Sequence, residues 1–179
     1  MYKLSKKKLN HIGILGGTFD PPHAGHLHIS KITLKKLKLN KLLWVVAKKN
    51  PLKKKPHLSI KKRIKLSKKI VFKEKKIFVL YLDDKIKSSN TYNLLNYLKK
   101  KNKNTKLYFL IGADNLVKFH KWKNWKKIPK LTKIVIFPRG NYLIRKNKYI
   151  VLKRLKKKDL IYINSKKVNI SSSLIRKFW

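Results

Sequence analysis

The segment ILGGTFDPPHAGHLHIS combines glycine, proline and histidine in a pattern that suits the binding of phosphate. Gly16 and Gly17 allow the backbone to bend tightly and to approach a ligand without a Cβ in the way. Asp20 can cap the helix that we predict after it, because the next two prolines have the fixed φ of a first helical turn. The free N–H groups and positive dipole end of this helix favour an anion. His23 and His26 are three residues apart, so both rings can face one phosphate group.

The same residue types allow other functions. Neither the P-loop spacing, GxxxxGK[ST], nor the dinucleotide fingerprint, GxGxxG, occurs in this segment. The histidine pair could bind a metal, although no third ligand is nearby in the sequence and carboxylates are scarce. The histidines could also be purely structural. The complete string is more specific than any pair within it, and we therefore favour phosphate chemistry.

The pattern of apolar residues predicts the strands and helices that position this segment. Buried strands are predicted at residues 11–15, 42–47, 77–81, 107–111, 133–137 and 160–163. Apolar residues three or four apart predict amphipathic helices at 27–37, 60–70 and 94–98. This alternation predicts an α/β fold, a Rossmann-like doubly wound parallel sheet with ligands beyond the strand C-termini. We predict a single domain over residues 1–179, with residues 1–10 as a basic N-terminal extension.

The charge of the chain is extreme, since 50 lysine and arginine residues against six acidic residues give a formal charge of +44. This charge could indicate a protein that binds nucleic acid. The lysines are scattered rather than gathered in one tail or stripe, and abundant lysine, asparagine and isoleucine are typical of an AT-rich genome. We therefore favour solvated surface lysines. They predict non-specific attraction of polyanions with a steep salt dependence, and no specific nucleic-acid partner.

Composition also excludes several classes of protein. No apolar run approaches the ~20 residues that cross a bilayer, so the sequence predicts no membrane span. The basic start of the chain leads straight into the first strand without a signal-peptide pattern, which favours a cytoplasmic location. Because the chain contains no cysteine, disulfides, thiolate nucleophiles and cysteine-ligated metals are excluded.

Several segments resemble motifs of the nucleotidylyltransferases that carry the signature GGTFDPxHxGH. The ending KVNISSSLIR is similar to the motif ISSTxIR, and LIGADNLVKFHKWKNWKKI is similar to GADxL followed by tryptophan. AKKNPLKKK resembles the NPLK form of one branch, and SNTYNLL is a looser match to SYTxxTL. Ser173 stands where threonine is usual, and Asn90 where tyrosine is usual. The combination most closely resembles the bacterial nicotinate-nucleotide adenylyltransferases.

The resemblance implies an enzyme of NAD biosynthesis that transfers AMP from ATP to the phosphate of nicotinate mononucleotide, giving deamido-NAD and pyrophosphate. The phosphate attacks the α-phosphorus in line, so catalysis needs alignment and charge neutralisation rather than a general base or a covalent intermediate. Mg²⁺ would be carried by the ATP phosphates, since the few carboxylates are not expected to form a metal site in the protein.

The resemblance also implies roles for individual residues. The implied catalytic residues are His23, His26 and Arg176. The implied ATP-binding residues are Gly16, Gly17, Thr18, His23, His26, Gly112, Asp114, Ser171, Ser172 and Arg176. The implied nicotinate mononucleotide-binding residues are Thr18, Lys53, Thr91 and Trp122.

Some of these residues have simpler interpretations. Ser171 or Ser172 can cap a short last helix, on which Arg176 could be an ordinary surface charge. Asp114 could cap a helix, alone or while it accepts hydrogen bonds from ribose hydroxyls. Trp122 could stack on the pyridine ring or, together with the tryptophan three residues later, belong to the core.

Two other functions remain as alternatives. The first is a sister adenylyltransferase acting on nicotinamide mononucleotide or phosphopantetheine, although the pantetheine enzymes usually have threonine where His23 stands. The second is a basic nucleic-acid-binding protein that keeps the fold. The presence of both phosphate motifs argues against it, because polyanion binding needs neither.

Overall fold

Six parallel strands form the centre of the computed structural model, which describes residues 9–102, 104–138, 150–164 and 170–179. They are β1 (Asn10–Gly17), β2 (Lys41–Val46), β3 (Ile77–Leu80), β4 (Thr105–Gly112), β5 (Lys133–Phe137) and β6 (Leu160–Tyr162). Their order in the sheet is β3-β2-β1-β4-β5-β6. All of the predicted strands are confirmed, as is the Rossmann-like α/β fold. Of the predicted extension over residues 1–10, the described part is Leu9 and Asn10, and Asn10 already belongs to β1.

Helices connect the strands. They are α1 (Ala24–Lys36), α2 (Ile60–Val71), α3 (Asp83–Ile86), α4 (Thr91–Lys101), α5 (Ala113–Val117), α6 (Ile150–Arg154) and α7 (Ser172–Ile175). Short 3₁₀ helices span Phe119–Lys121, Trp125–Lys130, Lys157–Asp159 and Arg176–Phe178. The predicted helices are confirmed as α1, α2 and α4. The apolar residues that predicted them are buried in α4, whereas the buried residues of α1 are Ser30 and Thr33 and those of α2 are Arg63, Ser67 and Val71. Across the described ranges, no helix is both long and apolar enough to cross a membrane.

Alternate strand residues pack into two hydrophobic clusters, one on each face of the sheet. Phe109 on β4 packs with α4 in one cluster, whereas Leu110 and Trp44 pack with α1 and α2 in the other. Trp44 is fully buried, and its Nε1 donates to Ser30 Oγ on α1 at 2.8 Å. The sheet is therefore covered on both faces, and the first turns of α1 are held against β2.

The strand order reverses at β1. The chain leaves β1 towards β2 on one side and, after β3, crosses to β4 on the other side. The C-terminal ends of β1 and β4, at Gly17 and Gly112, therefore border a crevice of the kind in which open α/β sheets bind ligands.

Candidate active site

Two connected pockets open at this edge of the sheet. The main cleft has a volume of about 520 Å³ and extends from the end of β1 to α7 and the residues after it. The smaller pocket, of about 270 Å³, lies beside the end of β2 and the start of α4. Both are lined by Gly16, Gly17, Thr18, Asn50, Phe109 and Trp122. The glycine segment identified from the sequence thus lies where the two pockets meet.

The backbone turn after β1 falls later than the two glycines. Gly16 and Gly17 are the last residues of β1, whereas the left-handed residue of the turn is Phe19, with a φ of 50°. The glycine that close approach requires is Gly25, in the first turn of α1. A Cβ at this position would lie 2.9 Å from Nδ1 of His23, which is closer than van der Waals contact allows. Gly25 therefore makes room for the histidine ring.

His23 and His26 lie together at the N-terminus of α1 and line the main cleft. His23 is the N-cap residue and is 7% exposed, and the two ring centroids are 3.8 Å apart. Nδ1 of His26 accepts a hydrogen bond from the His23 backbone N–H at 3.2 Å. Since Nδ1 accepts, the ring proton of His26 is on Nε2, which can donate to a phosphate oxygen. The structure thus brings the two predicted catalytic histidines to one point beside a helix N-terminus.

The prediction that Asp20 caps α1 is wrong. The helix begins at Ala24 with His23 as its N-cap. The Asp20 carboxylate instead accepts hydrogen bonds from the backbone N–H groups of His57, at 2.8 Å, and Leu58, at 2.9 Å. These partners are 37 and 38 residues away, which is why local sequence pattern did not reveal them. Asp20 therefore ties the turn after β1 to the segment that precedes α2.

The C-terminal helix α7 docks on the same turn. Ser171 is its N-cap and accepts a hydrogen bond from the backbone N–H of Leu174 at 3.1 Å, which confirms the predicted cap. Ser172 Oγ donates to the carbonyl of Pro21 at 2.9 Å. Ser172 lines the main cleft, whereas Ser171 lines neither pocket. Ser171 therefore stabilises the start of α7, whereas Ser172 faces the main cleft.

Arg176 closes the far end of the main cleft. Its Nη1 donates to the carbonyl of Asp20 and lies 3.8 Å from the carboxylate of the same residue. Its Nη2 donates to Ser173 Oγ at 3.3 Å, and the side chain is 24% exposed. A guanidinium held on one side by the turn retains further N–H donors for phosphate oxygens. Arg176 is therefore a partly buried group of the cleft wall.

Three of the four residues predicted to bind the second nucleotide line the smaller pocket. They are Thr18, Thr91 and Trp122. Lys53 lines the main cleft instead, beside Lys54. Lys53 therefore shares the main cleft with Thr18 and Trp122, whereas Thr91 lines the smaller pocket.

Trp122 packs on the core and also lines both pockets. Its ring centroid lies 5.1 Å from that of Phe119 and 6.1 Å from that of Phe109, in a T-shaped contact with the latter. Trp125 also contacts Phe119, at 6.2 Å, but lines neither pocket. Trp122 can therefore pack on the core with one part of its ring and stack on a ligand with another.

Asp114 follows β4 as predicted, whereas Gly112 is the last residue of the strand itself. Gly112 is the N-cap of α5 and lines the main cleft. Asp114 lies in the first helical turn, so the interpretation of Asp114 as the cap is wrong. It does not line either of the two pockets, whereas its neighbour Asn115 lines the main cleft.

Sequence reasoning missed several residues of the site. The pocket walls also include Asn50, His57, Asn115, Ile170 and Ser173. The largest omission is Arg63, which is 2% exposed on α2 beneath the loops that follow β1 and β2. The sequence contains a signal that could have identified this residue, because Arg63 is an arginine on a helix whose other basic residues are all lysine.

The main cleft carries more cationic than anionic groups. Lys53, Lys54, Lys55 and Arg176 line it, whereas its carboxylate, Asp20, already accepts two backbone hydrogen bonds. Such a surface attracts polyphosphates. In the part of the chain that the structure describes, no group of three or more His, Asp and Glu residues could hold a metal ion.

Comparison with known proteins agrees with this geometry. The cytidylyltransferase-like family model matches residues 14–178. The probable nicotinate-nucleotide adenylyltransferase of Pelagibacter ubique is 46% identical over 174 residues, which are 97% of this chain and 96% of that protein. The Plasmodium falciparum nicotinic acid mononucleotide adenylyltransferase complexed with NaAD superposes with a TM-score of 0.76 at 26% identity, covering 94% of this chain and 83% of that one. The same Plasmodium enzyme complexed with APC superposes with a TM-score of 0.74. This chain therefore belongs to the nicotinate-nucleotide adenylyltransferases, within the cytidylyltransferase-like family.

Proposed function

We propose that this protein transfers AMP from ATP to the phosphate of nicotinate mononucleotide, with release of pyrophosphate. The observation that carries the proposal is the meeting of the two pockets at Gly16, Gly17 and Thr18. Two anionic substrates bound in separate pockets would meet there, beside the N-terminus of α1 and its two histidines. The relatives and the Plasmodium enzyme complexed with NaAD support the same reaction.

The main cleft binds ATP. His23 and His26 hold the α-phosphate, and Nε2 of His26 donates to an oxygen that gains negative charge in the transition state. Arg176 and Ser172 hold the β- and γ-phosphates at the other end of the cleft, where the planar guanidinium suits two phosphate oxygens. Gly16, Gly17 and Gly112 complete the part of the predicted ATP site that lines the cleft. Asp114 and Ser171 do not line it, and they serve it through the first turn of α5 and the N-cap of α7.

The smaller pocket binds nicotinate mononucleotide. Trp122 provides a flat surface for the pyridine ring, and the N-terminus of α4 at Thr91 provides backbone N–H groups for its carboxylate. Thr18 lies between both substrates. Lys53 reaches the substrate phosphates from the main cleft.

The reaction needs little from the protein beyond alignment. A phosphate oxygen of the mononucleotide forms a bond to the α-phosphorus, and the α–β bridging bond breaks with its electrons on pyrophosphate. The attacking oxygen carries no proton that must be removed, so no general base is required. ATP enters as its Mg²⁺ complex, and the metal neutralises phosphate charge as part of the substrate.

Pyrophosphate release tests the proposal. Purified protein is incubated with ATP and Mg²⁺ at moderate salt, with nicotinate mononucleotide, nicotinamide mononucleotide or phosphopantetheine in separate reactions. We expect a clear preference for nicotinate mononucleotide, and the identity of the dinucleotide product is checked by mass. Preference for another acceptor would keep the mechanism and change the substrate, whereas no release with any acceptor would contradict the proposed reaction.

A further inference from the structure

Arg63 joins the loops that form the walls of both pockets, although it lines neither. Its Nη1 donates to the carbonyl of Thr18 and to the carbonyl of Ala47, each at 2.6 Å. Its Nη2 donates to the carbonyl of Lys48 at 3.0 Å, and its Nε donates to the carbonyl of Leu58 at 3.0 Å. One side chain therefore connects the loop after β1, the loop after β2 and the segment before α2.

Two buried carboxylates bind the backbone of the same residues. Asp83 Oδ2 accepts a hydrogen bond from the backbone N–H of Lys48 at 2.7 Å, while Arg63 binds the carbonyl of that residue. Asp20 accepts from the backbone N–H of Leu58, while Arg63 again binds the carbonyl. Lys48 and Leu58 are thus fixed at both their donor and their acceptor groups.

Two carboxylates partly offset the burial of the Arg63 charge. Burial lowers the pKa of the guanidinium from its ordinary value, and the nearby carboxylates of Asp20 and Asp83 act in the opposite direction. Arginine nonetheless remains protonated in proteins, so a cation lies beneath the site. Its five N–H donors in a planar fork suit four carbonyl acceptors, which the single ammonium group of a lysine does not.

Arg63 bears on the reaction because its Nη1 binds the carbonyls of two residues of the pocket walls, Thr18 and Ala47. Thr18 lines both pockets, and Ala47 lines the smaller pocket. This nitrogen therefore bridges the two chain segments that flank the point where the substrates meet, next to the backbone hydrogen bond from the Ala47 N–H to the Gly17 carbonyl at 2.8 Å. In-line transfer depends on that alignment, which a shift of about 1 Å can disturb severely.

We propose that Arg63 is a positioning residue for the transfer step, which holds the Thr18 and Ala47 loops at the spacing that aligns the two substrates. This inference rests on the proposed function. It assigns no substrate contact to Arg63, and it predicts a loss in turnover that exceeds any loss in substrate binding.

Two variants test the inference. R63K keeps the charge but loses the fork, and R63Q keeps a planar amide but loses the charge. For each, circular dichroism gives the folded fraction, calorimetry gives the Kd of each substrate alone, and product formation gives kcat per folded molecule. We expect kcat to fall at least tenfold in both variants while each Kd stays within threefold of the unmodified value.

Val71→Ala is the matched control, since Val71 is buried on the same helix and lines neither pocket. It should lower the melting temperature without lowering kcat per folded molecule. Equal losses of kcat in V71A and R63K at equal loss of stability would overturn the inference, as would R63K and R63Q variants with near-normal kcat. If neither Arg63 variant folds, Arg63 serves the fold alone and the inference is also overturned. An unmodified enzyme that forms no product would instead refute the proposed function.

Discussion

The two pockets of the site differ in how their walls are held. The turn after β1, at the main cleft, is buried and internally bonded, with Phe19 2%, Asp20 5% and His23 7% exposed. The wall of the smaller pocket includes exposed side chains, among them Leu52, which is 42% exposed, and Lys123. The turn after β1 is therefore packed before any ligand binds, whereas the smaller pocket, like the lysine segment 53–55 of the main cleft, presents exposed side chains that a ligand can order.

This difference predicts which parts of the site determine the rate of the reaction and which determine the affinity for substrate. A group that is already fixed loses little entropy when charge develops next to it, and it stabilises the transition state most strongly. An exposed side chain that becomes ordered contributes to affinity, reduced by the entropy of ordering. Substitutions in the buried turn should therefore change kcat, and those in the acceptor wall should change KM.

The largest effect is expected for His26→Ala. The variant loses the Nε2 donor that we propose for the α-phosphate, and the loss of one such preorganised donor lowers kcat by about 100- to 1,000-fold. Steady-state assays of pyrophosphate release give the value, with His11→Ala as the control because His11 lies at the opposite end of β1. A kcat within a few fold of the unmodified enzyme would remove His26 from the reaction.

Arg176→Ala should act mainly on the use of ATP. A charge-assisted hydrogen bond contributes about 1.5–3 kcal/mol, which corresponds to a rise in the KM for ATP of roughly 10- to 100-fold. The KM for nicotinate mononucleotide should change by less than about threefold. Arg176→Lys should recover part of the loss, and an unchanged dependence on ATP concentration would place Arg176 outside the site.

Trp122→Ala tests the acceptor end. Loss of an aromatic stacking partner weakens binding by about 0.5–1.5 kcal/mol, so the KM for nicotinate mononucleotide should rise roughly two- to tenfold with little change in kcat. Trp122→Phe should retain most of the affinity. Trp125→Ala is the control, because Trp125 packs on the same Phe119 ring and lines neither pocket. Equal rises in KM for both tryptophan variants would show that Trp122 acts through the core.

Lys53→Ala should have the smallest effect. Lys53 lies on an exposed segment of the main cleft with Lys54 and Lys55 beside it, so the loss of one charge changes KM by about twofold or less. The effect should shrink further between low and moderate salt, since exposed charges are screened. A tenfold effect that persists at moderate salt would show that Lys53 makes a direct contact with phosphate.

The strands could be predicted from the sequence because a parallel sheet buries both faces of its strands. Residues 107–111 and 134–137 are apolar runs with little alternation, as this burial requires. The helices α1, α2 and α4 were equally visible from apolar spacing. The helices α3, α5 and α6 are each five residues or fewer, too short for a periodic pattern to be recognised.

The site was predictable where its contacts are local and not where they are distant. The pairing of His23 with His26 and the cap at Ser171 follow from spacings of three residues. The contacts of Asp20 with His57 and of Arg63 with Thr18 join residues 37 and 45 positions apart. The sequence pattern shows which residue types are present, but the distant partners of a carboxylate or guanidinium depend on the completed fold.

The docking of α7 on the turn after β1 has a consequence for the timing of activity in the cell. The contacts of Ser172 with Pro21 and of Arg176 with Asp20 join residues 151 and 156 positions apart. At a synthesis rate of about 5–20 residues per second, the ribosome needs roughly 8–30 s to produce the second partner after the first. During this interval a nascent chain carries its histidines without the wall that completes the proposed ATP site. Incomplete translation products that end before residue 172 should consequently be inert towards ATP.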